Sequence, residues 1–219
     1  IPLWHSGFWV TIKTPAESEL LELYREITSN KVSLGRSSFG LMFSNTMSYT
    51  YSAILDFVIR NSYGTTINLN DNVDIREYID DRDLLPLFLG LTAATWPKGV
   101  EYKRGCVADP EDCRYVTTER INPAKLLWVD TTQLTERQRI HMSKRSPKSM
   151  TVEEVNLYKS EMILGTDQVT KIGDCEITFR TPNAKEYIES EEEINKEIDE
   201  ANQADFNTKM KEANTDNQI

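Results

Sequence analysis

The stretch Asp80-Asp81-Arg82-Asp83-Leu84-Leu85-Pro86-Leu87-Phe88-Leu89-Gly90-Leu91 decides how this chain is built. Charged residues give way to a run that is apolar and large at every position except Pro86 and Gly90. Proline fits a helix only in its first turn, so a helix starts near Asp83, with Asp80–Asp83 supplying the negative charge that suits its N-terminus. A helix that is apolar on all sides is a buried one. It ends around Trp96-Pro97-Lys98-Gly99.

The flanking elements follow from spacing and capping chemistry. Trp9–Lys13 alternates apolar and polar residues like a half-buried strand. Thr14-Pro15-Ala16-Glu17 then opens a helix, with Thr14 as cap, Pro15 at the first position and Glu17 closing a capping box. Leu20, Leu23, Tyr24 and Ile27 form its stripe. A second helix follows Asn45 or Ser48, with Tyr51, Ile54, Leu55 and Val58 inward. Val100–Lys103 and Tyr115–Thr117 read as a hairpin around the loop from Cys106 to Cys113, while Ile121 to Leu127 stays ambiguous. Gln133–Lys144 and Val152–Ile163 read as helices. Thr151 and Glu154 form a capping box on the second, and Val152, Val155, Tyr158 and Met162 share one of its faces. Val169–Ile172 and Cys175–Phe179 pair across Gly173-Asp174. The expected class is α+β: a helix-rich single domain over 1–185 with a small mixed sheet, a two-cysteine knuckle at 100–117 and an acidic C-terminal helix over 186–219.

Two segments echo each other. Val10-Thr11-Ile12-Lys13-Thr14-Pro15 matches Ile177-Thr178-Phe179-Arg180-Thr181-Pro182 in residue type, and the match extends to Glu19/Glu186, Leu21/Ile188 and Glu22/Glu189. Either the two share a local grammar, or a strand–helix unit is duplicated, with its strands in one sheet and its helices on one face.

Composition narrows the function classes. The chain has 219 residues with 35 acids against 25 bases, and residues 186–219 hold eleven of those acids and three of the bases. A near-neutral body with an acidic tail argues against nucleic-acid binding, which uses a clustered basic face. The group Arg137, Arg139, His141, Lys144, Arg145 and Lys148 is the local exception, and it reads as a solvated helix end. No apolar run is long enough for a membrane span, and no secretory signal is visible. Three cysteines suit a reducing compartment.

Candidate chemistry centres on Cys106 and Cys113, which Cys175 and His141 could complete as a Cys3His zinc site. Unliganded thiols and a local Cys106–Cys113 disulfide are the other readings. A catalytic version would use Cys106, Cys113 and His141 around zinc with Glu111 or Asp112 as base. Asp71–Asp74 and Asp80–Asp83 read as capping and solvent-facing acids rather than a magnesium site. No phosphate loop or nucleophile–base pair is assignable. Candidate partner-binding residues are the N-terminal aromatics Trp4, Phe8 and Trp9, and the tail residues Ile194, Ile198, Phe206 and Met210, spaced as an interrupted stripe on an acidic helix.

The Asp81–Leu85 segment (Asp-Arg-x-Leu-Leu), the strand leading into Cys106 and Cys113, and Ile121-Asn122-x-x-Lys125-Leu126 together resemble the baseplate hub and hub-assembly proteins of T-even-type contractile-tailed phages. The opening Leu3-Trp4-His5-Ser6-Gly7-Phe8-Trp9-Val10-Thr11-Ile12 is also similar to the start of such tail proteins. The resemblance covers about residues 1–130. It implies a non-enzymatic structural or assembly subunit of the virion's tail baseplate, assembled in the host cytoplasm among other tail proteins. It carries over no catalytic residues and no cofactor beyond a possible structural zinc. The rival is a cytosolic zinc-dependent enzyme.

Overall fold

The computed structural model describes residues 1–34, 45–70, 72–105, 115–127, 130–161 and 168–216. In chain order its elements are β1 (Pro2–Leu3), β2 (Phe8–Ile12), α1 (Glu17–Leu34), α2 (Asn45–Arg60), β3 (Ser62–Thr65) and α3 (Leu84–Thr95). There follow β4 (Val100–Gly105), β5 (Val116–Ile121), α4 (Glu136–Ser143), α5 (Val152–Ser160), β6 (Gln168–Ile172), β7 (Cys175–Phe179) and α6 (Ala184–Asp216). Short 3-10 helices occupy Ile75–Glu77, Asp81–Asp83 and Pro123–Leu126. The fold is α+β and helix-rich. Its strands form antiparallel sheets rather than one mixed sheet: β1-β2-β3, β4-β5 and β6-β7.

Leu84, Leu87 and Leu91 of α3 meet Leu55 and Val58 of α2, Phe8 and Val10 of β2, and Ile188 of α6 in one core. Pro86 sits within the first turn of α3, where its missing N–H costs nothing. The helix is not buried all round, because Leu85 faces solvent. Tyr24, expected on the inward stripe of α1, is also exposed. The Thr151/Glu154 capping box on α5 is present, and a Thr135/Gln138 box opens α4. Gly173 takes φ +63 in the β6–β7 turn, a conformation that favours glycine.

One carboxylate joins the N-terminal strands to α3. Asp83, 1% exposed, accepts the backbone N–H of His5 at 3.0 Å and of Ser6 at 2.6 Å, and the Ser6 hydroxyl at 2.6 Å. Its other oxygen lies 3.2 Å from His5 Nδ1. The Ser6 hydroxyl oxygen in turn accepts the Asp80 N–H at 2.9 Å. Asp80 caps the 3-10 turn and ion-pairs with Arg82 at 2.7 Å. Asp80 and Asp83 are therefore buried, not solvent-facing. The β1–β2 turn that they clasp needs Gly7 at φ +80, where a Cβ would come within 2.5 Å of the Tyr158 ring.

The duplicated unit does not form one sheet. β2 packs into the core beside β1 and β3, whereas β7, among the described residues, pairs with β6 alone and exposes every residue. What repeats is the helix entry, two residues later than the threonines suggest. Glu19 accepts the Ala16 N–H at 2.7 Å and pairs with Lys13 at 3.6 Å. Glu186 accepts the Asn183 N–H at 3.1 Å and pairs with Arg180 at 2.7 Å. The caps are thus Ala16 and Asn183, and Pro15 and Pro182 lie in the approach to each helix rather than at its first position. The start of α6 is tied down by the Ala184 N–H, which donates to Ile79 O at 2.7 Å.

Asp83→Ala removes the acceptor of three hydrogen bonds and strands their buried donors. The expected loss is about 3 kcal/mol, a fall in thermal midpoint of roughly 6–12 °C for a chain of this size. Circular dichroism melting reads this, Ser6→Ala should lose less, and an unchanged Asp83→Ala midpoint contradicts the clasp. A second prediction concerns acid. The Arg180 guanidinium holds the Glu186 carboxyl down at about 2, against a usual value of 4.5. A depressed folded value contributes stability above the unfolded value and loses it as pH falls through the folded one. The midpoint difference between the parent chain and Glu186→Gln should therefore shrink steadily from pH 4.5 to 2. A difference independent of pH across that window excludes the linkage.

Candidate interaction surface

The proposed metal ligands are not brought together among the described residues. Cys106 and Cys113, with Glu111 and Asp112, lie outside them. His141 is buried in α4, with Nε2 2.7 Å from the Gly7 carbonyl oxygen and its ring 5.0 Å from that of Tyr158. Cys175 is exposed beside the β6–β7 turn. No group of three or more His, Cys, Asp or Glu among the described residues is arranged to hold an ion. Asp83, His5 and Ser6 share the residue types of a hydrolytic triad, but Ser6 and His5 both point at the carboxylate and Ser6 is wholly buried. A triad nucleophile instead gives its proton to an imidazole. This cluster is a clasp.

Of the N-terminal aromatics, Trp4 and Trp9 are half-buried. Phe8, expected to bind a partner, is fully buried in the core. Trp9 is half-buried. Its indole N–H donates to Met142 O at 2.9 Å, Trp4 lies 6.4 Å away ring to ring, and the Arg145 guanidinium sits 4.7 Å over its face. The Tyr158 hydroxyl donates to Trp4 O at 2.6 Å, and burial pushes that phenol well above its usual range. These contacts weld α4 and α5 to the β1–β2 turn.

The unpartnered apolar surface is elsewhere. The β6–β7 register sets Gln168 opposite Phe179, Thr170 opposite Ile177 and Ile172 opposite Cys175. Phe179, Ile177 and Ile172 therefore share one face, and all three are exposed, Phe179 by 57%. On the β4–β5 hairpin, Val100, Tyr102 and Ile121 share a face in the same way and are also exposed. Sequence reasoning found both hairpins but not this exposure, since alternation looks the same whether or not a core lies beneath it.

α6 divides in two. Ala184, Ile188 and Asn195 are buried against the body, with α2 and the Ile75–Glu77 turn as neighbours. Lys185 pairs with Glu77 at 2.9 Å, and the Tyr187 hydroxyl donates to Glu191. Ile198 is half-buried, and from Glu200 to Lys209 every side chain is exposed. Ile194 and Phe206 are exposed by 54% and 57%; the side chain of Met210 lies outside the described residues. The body contact thus extends past the expected boundary at 186, to about Ile198.

A groove also lies between α4 and α5, a hollow of about 230 Å³. Ile140 and Leu157 stand exposed on its two sides, by 58% and 50%. Arg137–Glu161 and Lys144–Glu154 ion pairs cross it, the second at 2.6 Å. His141 and Tyr158 lie at its base. Of the basic cluster, Arg137, Arg139, Arg145 and Lys148 are exposed to solvent, Arg145 also stacks on Trp9, and His141 is buried.

No helix among the described residues is long and apolar enough to cross a membrane. No family model matches the chain, and no curated protein or solved structure matches it.

Proposed function

We propose that this chain is a structural or assembly subunit of a contractile phage tail baseplate, in its hub region, acting in the virion through contacts with neighbouring tail proteins. The observation that carries the contact reading is apolar side chains standing on elements outside the core: Phe179, Ile177 and Ile172 on one face of β6–β7, and Phe206 on the overhanging half of α6. An isolated two-stranded hairpin is marginal in water, so an apolar face on one gains most when a neighbour covers it. The resemblance of the 81–85, 106–113 and 121–126 motifs to hub proteins supplies the tail assignment.

The test is incorporation. Residues 190–198 include the buried Asn195, so the cut that spares the body falls after Asp199. Deleting residues 200–219 should leave the thermal midpoint unchanged but prevent the chain from co-sedimenting with tail particles from infected cells. Ile194→Asp with Phe206→Asp should act alike, since both side chains are exposed and neither supports the core. Normal incorporation of the truncated chain rejects the docking role of α6.

A further inference from the structure

We infer that β7 pairs along its outer edge with β7 of a second copy of this chain, antiparallel and about a two-fold axis at Ile177. The inference goes beyond the tail reading and rests on none of it.

The hairpin's register decides which groups face outward. Its two-residue turn makes Ile172 and Cys175 a hydrogen-bonded pair, and such pairs then alternate with non-hydrogen-bonded ones. Cys175, Ile177 and Phe179 therefore bond to β6, while the N–H and C=O groups of Glu176 and Thr178 point away from it. Among the described residues no strand pairs with that edge, and all five residues of β7 are exposed. Sheet edges that stay single are commonly guarded by lysine, proline or a bulge. β7 has no lysine, no proline and an unbroken register, whereas its partner β6 carries Lys171.

The strand is complementary to itself, and this selects a second copy as the occupant. Pairing about Ile177 matches all five strand residues. It sets Glu176 opposite Thr178 of the second copy, and both have their backbone groups outward, so the two exchange N–H···O bonds on each side of the axis. On the apolar face Ile177 meets Ile177 and Cys175 meets Phe179. On the polar face Asp174, just before the strand, comes opposite Arg180, just after it, at both ends. No acid then stands opposite an acid and no base opposite a base. Glu186 already holds the Arg180 guanidinium at the end of the strand, and the carboxylate of Asp174 arrives beside that fixed cation. Centring the contact on Glu176 would instead set that acid against itself. The equivalent pairing of β6, about Thr170, sets Lys171 opposite Val169 and joins no opposite charges. The product is a four-stranded sheet with one apolar face built from Ile172, Ile177 and Phe179 of both copies, where a lone hairpin is marginal.

Proline on one edge and then on the other tests this. Val169 and Thr178 stand opposite each other as a non-hydrogen-bonded pair, so their N–H groups point to the two outer edges of the hairpin. Thr178→Pro therefore removes a donor from the edge of β7 and Val169→Pro one from the edge of β6, and neither removes a bond of the hairpin itself. Unchanged melting curves would verify that both variants fold. In sedimentation at concentrations up to about 1 mM, the parent and Val169→Pro chains should pass from monomer to dimer, and Thr178→Pro should stay monomeric. A covalent trap reads the register. Phe179→Cys places a thiol opposite Cys175 of the second copy in a non-hydrogen-bonded pair, within disulfide reach, while the two positions in one chain lie roughly 13 Å apart along the strand. Mild oxidation should give a dimer bridged from Cys175 to position 179. A monomeric parent, a dimeric Thr178→Pro chain, loss of the dimer in both proline variants, or a dimer that Phe179→Cys does not bridge each overturns the inference. The chain cut after Asp199 keeps β7 and should dimerise as the parent does, so this contact and the docking of α6 are read separately.

Discussion

A buried carboxylate has to be satisfied by polar partners, and the β1–β2 turn supplies hydrogen bonds to Asp83: two backbone N–H groups, a hydroxyl and the His5 ring. That requirement fixes much of the body. Because Ser6 also accepts from Asp80, the turn, the 3-10 segment and the start of α3 form one hydrogen-bonded unit. Gly7 leaves that unit in a conformation open to glycine, with its carbonyl against His141 and its α-carbon against Tyr158. α4 and α5 are thereby docked through the turn. The strand that follows delivers Phe8 and Val10 into the core. On the other side of the 3-10 segment, the Ile79 carbonyl accepts from Ala184 and so sets where α6 begins.

With the body closed this way, several titratable groups of the described residues are engaged in structure: Asp80 on Arg82, Asp74 and Asp56 on Arg76, His141 on a carbonyl. Exposed apolar surface lies on the hairpins and on the far half of α6. The proposed role in a tail assembly rests on surface of that kind, carried on elements the core does not cover.

Much of this was legible in the sequence where local chemistry decides. The apolar run after Asp83 gave α3, Thr151 with Glu154 gave the start of α5, and Gly173-Asp174 gave the last hairpin. β1 and β3 escaped because two to four residues carry no readable period. The helix entries were placed two residues early because Thr-Pro is a common cap signal, while the carboxylates of Glu19 and Glu186 in fact bind the N–H groups of Ala16 and Asn183. The burial of Asp83 was hidden for a similar reason. An aspartate before a helix reads as a cap, and only a turn from 77 residues earlier in the chain makes it a core acceptor. Of the candidate site residues on α6, Ile194 and Phe206 are exposed, Ile198 is half-buried, and the side chain of Met210 lies outside the described residues. Phe8 and Trp9 were misread because strand alternation does not say which partner covers the aromatic face.

Hydrogen exchange on the free chain and on the chain within its assembly tests the central claim most directly, since it reads which backbone is held by the body and which waits for a neighbour. The account predicts slow exchange around Ser6 and Asp83–Leu87 in both states. It predicts fast exchange over residues 200–216 in the dilute free chain, becoming slow in the assembly. Slow exchange over 200–216 in a dilute monomer, or fast exchange there after assembly, would contradict it.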